Sequence, residues 1–265
     1  MPHRLDVPAY LNRIGYKGPL TPSGETLRLL HLHHLYTVPF ENLDIALGRP
    51  IVMDSDAFVH KIVEQSRGGF CYELNGAFAR LLTEIGFRVT LLAARVARED
   101  GVAGAEFAHL ALRVDSEMPC IRQPWLVDVG FGDCFLEPLL LEAGVEQTQA
   151  NGRFRIAQAG SSLQLEKQQP DASWKTEYLF TLQPRQLLDF AEMCGFHQTS
   201  PESYFTHQRI CSMATPTGRI TLRDRNLTVT RNRLRRTRTL RSETEWQTTL
   251  RRHFGLNPEP LFGAA

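Results

Sequence analysis

Net charge is nearly absent from this chain: 30 Lys and Arg against 29 Asp and Glu in 265 residues leave +1. A molecule so balanced has no overall field to gather nucleic acid or anionic lipid. Long apolar runs are lacking too, none approaching the ~20 residues that span a bilayer. The N-terminus, MPHRLDVPAY, has no apolar core of the kind a signal peptide carries. A reducing cytoplasm is therefore the expected compartment, with neither membrane nor nucleic acid as partner. Cysteine is sparse. Cys71, Cys120, Cys134, Cys194 and Cys211 make five, an odd number, with no CxxC among them. That argues against a disulfide framework and a zinc knuckle. A thiol left reduced is free to do chemistry. Repeats, low-complexity tracts and long linkers are missing as well, so the units of the chain are expected to pack on one another.

What is present is ordinary for a globular protein: 42% hydrophobic and 22% charged residues. The length allows two or three packed units. The first 86 residues read as helices. Pro22 to Tyr36 sets Leu27, Leu30, His34 and Leu35 at helical spacing. Asp54 is placed to cap a second helix carrying Phe58, Ile62 and Val63. A third begins near Cys71, with Leu74, Ala77, Phe78, Leu81, Leu82 and Ile85 on one stripe and Gly86 at its end. The period then changes. FRVTLLAARV (87–96), FAHLALRVD (107–115) and WLVDVGF (125–131) read as strands, with more around 154–156, 163–165 and 174–180. An antiparallel sheet or barrel is expected here. PRQLLDFAEMCG (184–195) reads as helix and RITLRD and NLTVTR as strands. A last helix follows the capping-box pair Ser242 and Glu245.

The stretch RGGFCYELNGAF (67–78) puts a thiol at a helix start behind two glycines. A thiolate is the reactive form of cysteine. Unpaired N–H groups and roughly half a positive charge at a helix N-terminus favour it. Gly68 and Gly69 would let a substrate approach the backbone. The alternative is a buried structural cysteine. A nucleophilic cysteine needs a base and the base an orienting partner. His109 lies in FAHLALRVD and Asp128 in WLVDVGF, an apolar strand where a carboxylate is costly unless paired. The two numbers sum to 237, which centres an antiparallel hairpin between Met118 and Pro119. On that register the two side chains face each other on one side of the sheet.

RGGFCYELNGAF, with PFENLDI (39–45), the AHLAL histidine, WLVDVGFG and TSPESYF (199–205), resembles the arylamine N-acetyltransferases. The likeness runs over most of the chain in the order Cys, His, Asp. It implies an α+β fold in three parts: a helical bundle (1–86) carrying the nucleophile, an antiparallel β-barrel (87–183) carrying His and Asp, and an α/β lid (184–265). It implies a papain-like triad of Cys71, His109 and Asp128, acetyl-CoA as acyl donor with no tightly bound cofactor or metal, and a small aromatic amine or hydrazine as acceptor. It sets Phe40, Phe70, Val96, Gly130, Phe131 and Phe205 around the substrate pocket and makes Glu41 and Arg67 a structural ion pair nearby. Phe70 and Tyr72 flank the cysteine where many members of the family have Tyr then Phe.

Three further features have plainer readings. In HLHH (31–34), His31 and His34 sit at i, i+3 with no Cys or carboxylate beside them, so a structural role is favoured over a metal. RNRLRRTRTLR (231–241) suits a phosphate or, more simply, a charged edge strand that resists pairing. Cys134 reads as a small buried hydrophobe. A same-triad amide synthase, a cysteine hydrolase or a transglutaminase-like enzyme would share these motifs. A nucleic-acid binder using the arginine-rich tail would lack an aromatic platform.

Overall fold

Helix starts in the first third of the chain sit where a side chain can take up an unpaired N–H. The structure, a computed structural model, describes residues 4–98, 101–115 and 123–257. The Asp6 carboxylate accepts from Ala9 N–H at the start of α1 (Val7–Arg13), and the Ser23 hydroxyl from Thr26 N–H at the start of α2 (Gly24–Thr37). A two-residue strand β1 (Phe40–Glu41), α3 (Leu43–Ala46) and α4 (Ser55–Val59) follow. Asp54 caps α4 as its sequence predicts. α4 then runs into one π turn, His60–Glu64, which buries Lys61 and Ile62. α5 (Cys71–Ile85) begins at the cysteine and ends on Gly86 at φ 105°, the left-handed cap that glycine adopts freely. More than the predicted stripe of α5 is buried. Glu73 and Asn75 are enclosed with the apolar residues, so α5 is a central helix rather than a surface one.

The middle of the chain is β2 (Arg88–Val96), β3 (His109–Asp115), β4 (Pro124–Val127), β5 (Leu139–Leu140), β6 (Glu146–Gln149), β7 (Gly152–Ala159), β8 (Ser162–Gln168) and β9 (Trp174–Phe180). They form one antiparallel sheet in the order β5-β4-β3-β2-β9-β8-β7-β6, curled until its two edges nearly meet. Two glutamines of β6 stitch that seam with their amides. Gln147 accepts from Leu140 N–H (2.7 Å) and donates to Leu140 O (3.0 Å). Gln149 does the same for Leu136, Glu137 and the Glu137 carbonyl. The barrel is filled by Leu92, Ala111, Leu126, Phe135, Phe154, Ile156, Leu165 and Tyr178.

Two predicted strands are shorter in the fold. β3 begins at His109 because Phe107 takes a left-handed φ of 60°. β4 ends at Val127, leaving Asp128 on the loop beyond it. Leu112 pairs with Val127 and Arg113 with Leu126, so facing numbers sum to 239, not 237. His109 and Asp128 therefore meet on a diagonal past the end of the ladder. The expected hairpin centre and Cys120 lie outside the described residues.

The last part comprises a 3₁₀ turn (Leu187–Phe190), α6 (Ala191–Thr199), α7 (Tyr204–His207), β10 (Ile210–Thr215), β11 (Gly218–Arg223), β12 (Asn226–Arg231), β13 (Leu234–Thr239) and α8 (Glu243–Phe254). The single helix predicted over 184–195 is thus a short 3₁₀ turn leading into a later helix. The Ser242 hydroxyl caps α8 through Glu245 N–H. The second sheet has the order β1-β10-β11-β12-β13. Its first strand comes from the N-terminal helical region, which ties the two ends of the chain together. β13 is the outer strand and exposed at every residue, the solvated edge that its arginines suggest. Among the described residues no helix is long and apolar enough to cross a membrane.

Five charged side chains are buried beneath the start of α5. Arg67 donates to Glu41 (2.9 Å from Nε) and Asp44 (3.0 Å). Lys61 reaches Asp44 (2.6 Å) and Glu73 (2.7 Å). Three carboxylates share two cations, and burial raises the Glu73 carboxyl even though Lys61 opposes it. Breaking one buried partnership is costly because the remaining charge is stranded. Lys61→Met is expected to lower stability by about 3–5 kcal/mol, read as a fall in urea midpoint at unchanged slope. A loss under about 1 kcal/mol would mean that the carboxylates simply take up protons instead.

Candidate active site

Cys71 is the first residue of α5 and only 3% exposed. The Glu73 carboxylate turns back to accept from Phe70 N–H at 3.0 Å, which fixes the helix start. The two glycines before it serve the chain itself. A Cβ on Gly68 would stand 2.0 Å from the Pro39 carbonyl, and one on Gly69 would stand 2.7 Å from Glu73 Cβ. Gly68 lets this segment lie against Pro39–Glu41, where Glu41 N–H donates to Gly69 O at 2.8 Å, and Gly69 leaves room for Glu73. Clearing a path for substrate, as the sequence suggested, is not what excludes side chains there. The tight approach to the cysteine comes from another glycine. A Cβ on Gly130 would fall 2.8 Å from Cys71 Cα, so only glycine brings the loop after Asp128 onto the helix start.

His109 and Asp128 meet as their chemistry requires. The imidazole Nε2 lies 2.7 Å from Asp128 Oδ2, with both residues 2% exposed. The other carboxylate oxygen accepts from Asn75 Nδ2 (2.9 Å) and Gly130 N–H (2.9 Å). Asn75 also donates to Leu110 O (2.7 Å) and accepts from Val129 N–H (2.9 Å). One amide, a single turn along from Cys71, thus binds the strand of His109 to the loop of Asp128. Behind them stands His31 of α2. With Nδ1 protonated it donates to Leu136 O (2.7 Å), and its Nε2 accepts from Asp128 N–H (3.3 Å). Its ring stacks on Phe135 at 5.7 Å. HLHH is therefore structural, as its sequence context favours. His34 is also buried, against Tyr10 and Phe78. No cluster of three or more His, Cys, Asp or Glu suited to a metal occurs among the described residues.

The electrostatics of the site follow from its burial. Burial alone would raise the Asp128 carboxyl, but His109, Asn75 and Gly130 N–H hold it below the usual carboxylate range. Burial pushes the Cys71 thiol up, and the Asp128 charge adds to this; the N–H groups of Leu110 and Tyr72 favour the anion. The helix start by itself does not make this thiol acidic. A proton moved from Cys71 to His109 would place a cation against Asp128, and that pairing offsets the cost. Cys134, Cys194 and Cys211 are buried, with thiols raised by desolvation, and Cys134 is a small core hydrophobe as expected.

The other predicted site residues fall into two groups. Phe40, Phe70 and Phe205 form one aromatic cluster, with Phe205 6.2 Å from Phe40 and 6.0 Å from Phe70. Phe131 packs edge-on to His109 at 5.1 Å. Val96 pairs across the sheet with Tyr178, whose ring touches both His109 and Phe131. Glu41 and Arg67 do pair, within the larger buried network. Sequence reading missed Asn75, Tyr178, Lys61 and Glu73 and undervalued His31. Asn75 and Glu73 stood inside the quoted ELN stretch, but only their partners show what they do. Cavities of about 360 and 130 Å³ open elsewhere, and neither is lined by Cys71, His109 or Asp128.

His31 supplies a pH-dependent prediction. Desolvation lowers its pKa from 6.5 to about 4, so the folded state prefers it neutral. Between these values the unfolded chain binds the extra proton, and stability contributed by His31 is present above pH 6.5 and lost as pH falls toward 4. His31→Asn should be destabilising at pH 7, and the gap to the parent should shrink by about 3 kcal/mol between pH 7 and pH 4. Urea unfolding of both proteins across that range checks it; a gap that stays constant would show that His31 is not held neutral.

Residues 24–260 match the family model described as N-acetyltransferase. An arylamine N-acetyltransferase of Escherichia coli (strain K12) is 36% identical over 79% of this chain and 73% of its own length. Proansamycin X synthase of Amycolatopsis mediterranei is 33% identical over 94% of this chain and 96% of its own. Among solved structures, the arylamine N-acetyltransferase of Mycobacterium marinum superposes with a TM-score of 0.90 at 33% identity, covering 97% of this chain and 94% of that one; it has also been solved in complex with CoA. Likeness on this scale, in sequence and in fold together, is that of common descent: the chain belongs to the arylamine N-acetyltransferase family.

Proposed function

We propose that this protein transfers acetyl from acetyl-CoA to aromatic amines or hydrazines through an acetyl-cysteine. Cys71 is the nucleophile, His109 the base and Asp128 its orienting acid. The observation that carries the reading is the 2.7 Å His109–Asp128 bond, buried beside a cysteine at a helix start in a chain of this family. The Cys71 proton passes to His109, and sulfur attacks the thioester carbonyl. Backbone N–H groups at the helix start stabilise the oxyanion. The C–S bond to CoA breaks, the CoA thiolate takes the proton from His109, and acetyl-Cys71 remains. The amine nitrogen then attacks that carbonyl, His109 takes its proton, and Cys71 leaves as thiolate. Phe40, Phe70, Val96, Gly130, Phe131 and Phe205 form the pocket of the acyl group and acceptor. An arylamine suits such a pocket because it is neutral at pH 7 whereas an alkylamine is protonated. The three-part division at residues 86 and 183 and a cytoplasmic location belong to the same reading.

A second reading is biosynthetic amide formation by the same residues, favoured by the synthase that matches 94% of the chain. Both share the acetylation or acylation of Cys71 and differ in the acceptor.

Mixing the protein with acetyl-CoA and no acceptor should add one acetyl group, mapped by peptide mass to Cys71. Cys71→Ser should fold and lose turnover by about 10³-fold or more. Acetylation of Cys134 or Cys211 with Cys71 untouched would sink the assignment. Double-reciprocal plots should be parallel, with arylamines and hydrazines better acceptors than alkylamines; intersecting lines would point to direct transfer. Good acetylation of Cys71 with no arylamine turnover would favour the synthase reading.

Asp128→Asn should slow iodoacetamide alkylation of Cys71 near pH 5 more than near pH 9, because the cation on His109 loses its partner. Circular dichroism must first show a folded variant. Equal rates at pH 5 in the folded variant and the parent would remove Asp128 from the mechanism.

A further inference from the structure

β3 enters the site with one edge uncovered. β4 pairs with it only as far back as Leu112–Val127, so among the described residues no strand of the β4 side takes its carbonyls from Leu110 to Phe107. Side chains from helices do so instead. Leu110 O accepts from Asn75 Nδ2 at 2.7 Å. Phe107 O accepts from the Tyr72 hydroxyl at 2.7 Å. Between these two, Ala108 O accepts from His197 Nε2–H at 3.2 Å. Asn75 and Tyr72 belong to α5, next to Cys71, whereas His197 comes from α6, almost ninety residues along the chain from His109.

We propose that His197 is a positioning residue for the reaction: its N–H on the Ala108 carbonyl fixes the backbone that delivers His109 to Cys71 and Asp128. The residue is itself held on several sides. The Ser203 hydroxyl donates to the His197 backbone carbonyl at 3.2 Å, lies 3.4 Å from the ring Nδ1 and accepts from Phe205 N–H at 3.3 Å. The ring lies edge-on to Phe205 at 5.1 Å and beside Tyr72 at 6.1 Å. It therefore touches the residue after the nucleophile, the residue before the base and an aromatic of the acceptor cluster. Burial lowers its pKa, and His109 lowers it further, so the ring is neutral and has one N–H to give. Neither the resemblance motifs nor the local pattern of α6 singles it out.

The inference rests on the Cys71–His109–Asp128 reading, and its test separates the two. His197→Phe keeps a flat ring and loses the N–H; His197→Gln restores an N–H near the place of Nε2. Each folded variant is assayed for single-turnover acetylation of Cys71, for transfer to an arylamine, and for the pH profile of Cys71 alkylation by iodoacetamide. His109 acts in both half-reactions. His197→Phe should therefore slow both by about tenfold, in line with the cost of sub-ångström misplacement, with the acceptor KM within about twofold of the parent and the alkylation profile displaced to higher pH. His197→Gln should recover both rates to within about threefold. If His197→Phe does not fold, His197→Leu replaces it. Unchanged rates and profile in the variant lacking the N–H overturn the proposal. So does a loss that His197→Gln fails to restore, since packing rather than the hydrogen bond would then matter. A parent protein that never acetylates Cys71 would instead overturn the triad.

Discussion

The carboxylate of Asp128 is the constraint around which the site is built. It is almost wholly buried and charged, and a lone charge there would cost several kcal/mol. Each oxygen is therefore occupied: one by His109, the other by Asn75 and Gly130 N–H. Its own backbone N–H is taken by His31. These partners come from a helix of the N-terminal region, from the central helix, from a barrel strand and from the loop itself. Satisfying one carboxylate thus sets the relative positions of α2, α5, β3 and the loop after β4.

The same logic recurs on the other side of α5. Glu41, Asp44, Lys61, Arg67 and Glu73 are drawn from five places in the first 73 residues, and their three carboxylates share two cations. The π turn at His60–Glu64 contributes Lys61, and the strand β1 that contributes Glu41 also pairs with β10. The helix carrying Cys71 is consequently clamped between two buried polar systems. Such clamping costs stability relative to an apolar core but leaves few alternative positions for the sulfur. A dry site also makes any developing charge expensive unless a partner is already in place, which is the condition that His109 and Asp128 meet.

Local patterns announced much of this. The caps at Asp54 and Ser242, the helix beginning at Cys71 and ending on Gly86, and the strands of the barrel follow from short-range chemistry. Asp128 was conspicuous because a carboxylate within WLVDVGF has to be paired. Elements failed where tertiary contacts override period. Phe107 and Asp128 fall within the strands expected from sequence, yet both lie outside the strands of the fold. The register differs by two from the expected one, and the ladder stops before it reaches His109 and Asp128. The glycines of RGGFC were read as an opening for substrate, whereas the Pro39 carbonyl fills the space at Gly68 and the Glu73 side chain that at Gly69.

The sequence alone determined the residue types: a thiol at a helix start, a histidine in one strand segment and an acid in the next, with nearly balanced charge and no long apolar run. Those properties are local, since caps, periodicity and composition depend on neighbours along the chain. Only the tertiary structure decided which polar groups satisfy which. Asn75, His31 and His197 look unremarkable in sequence, because a buried hydrogen bond is defined by two partners, and theirs lie 35, 105 and 89 residues away. The cost of an unpaired buried group is paid in three dimensions, so its solution is written there and not in the spacing of the chain.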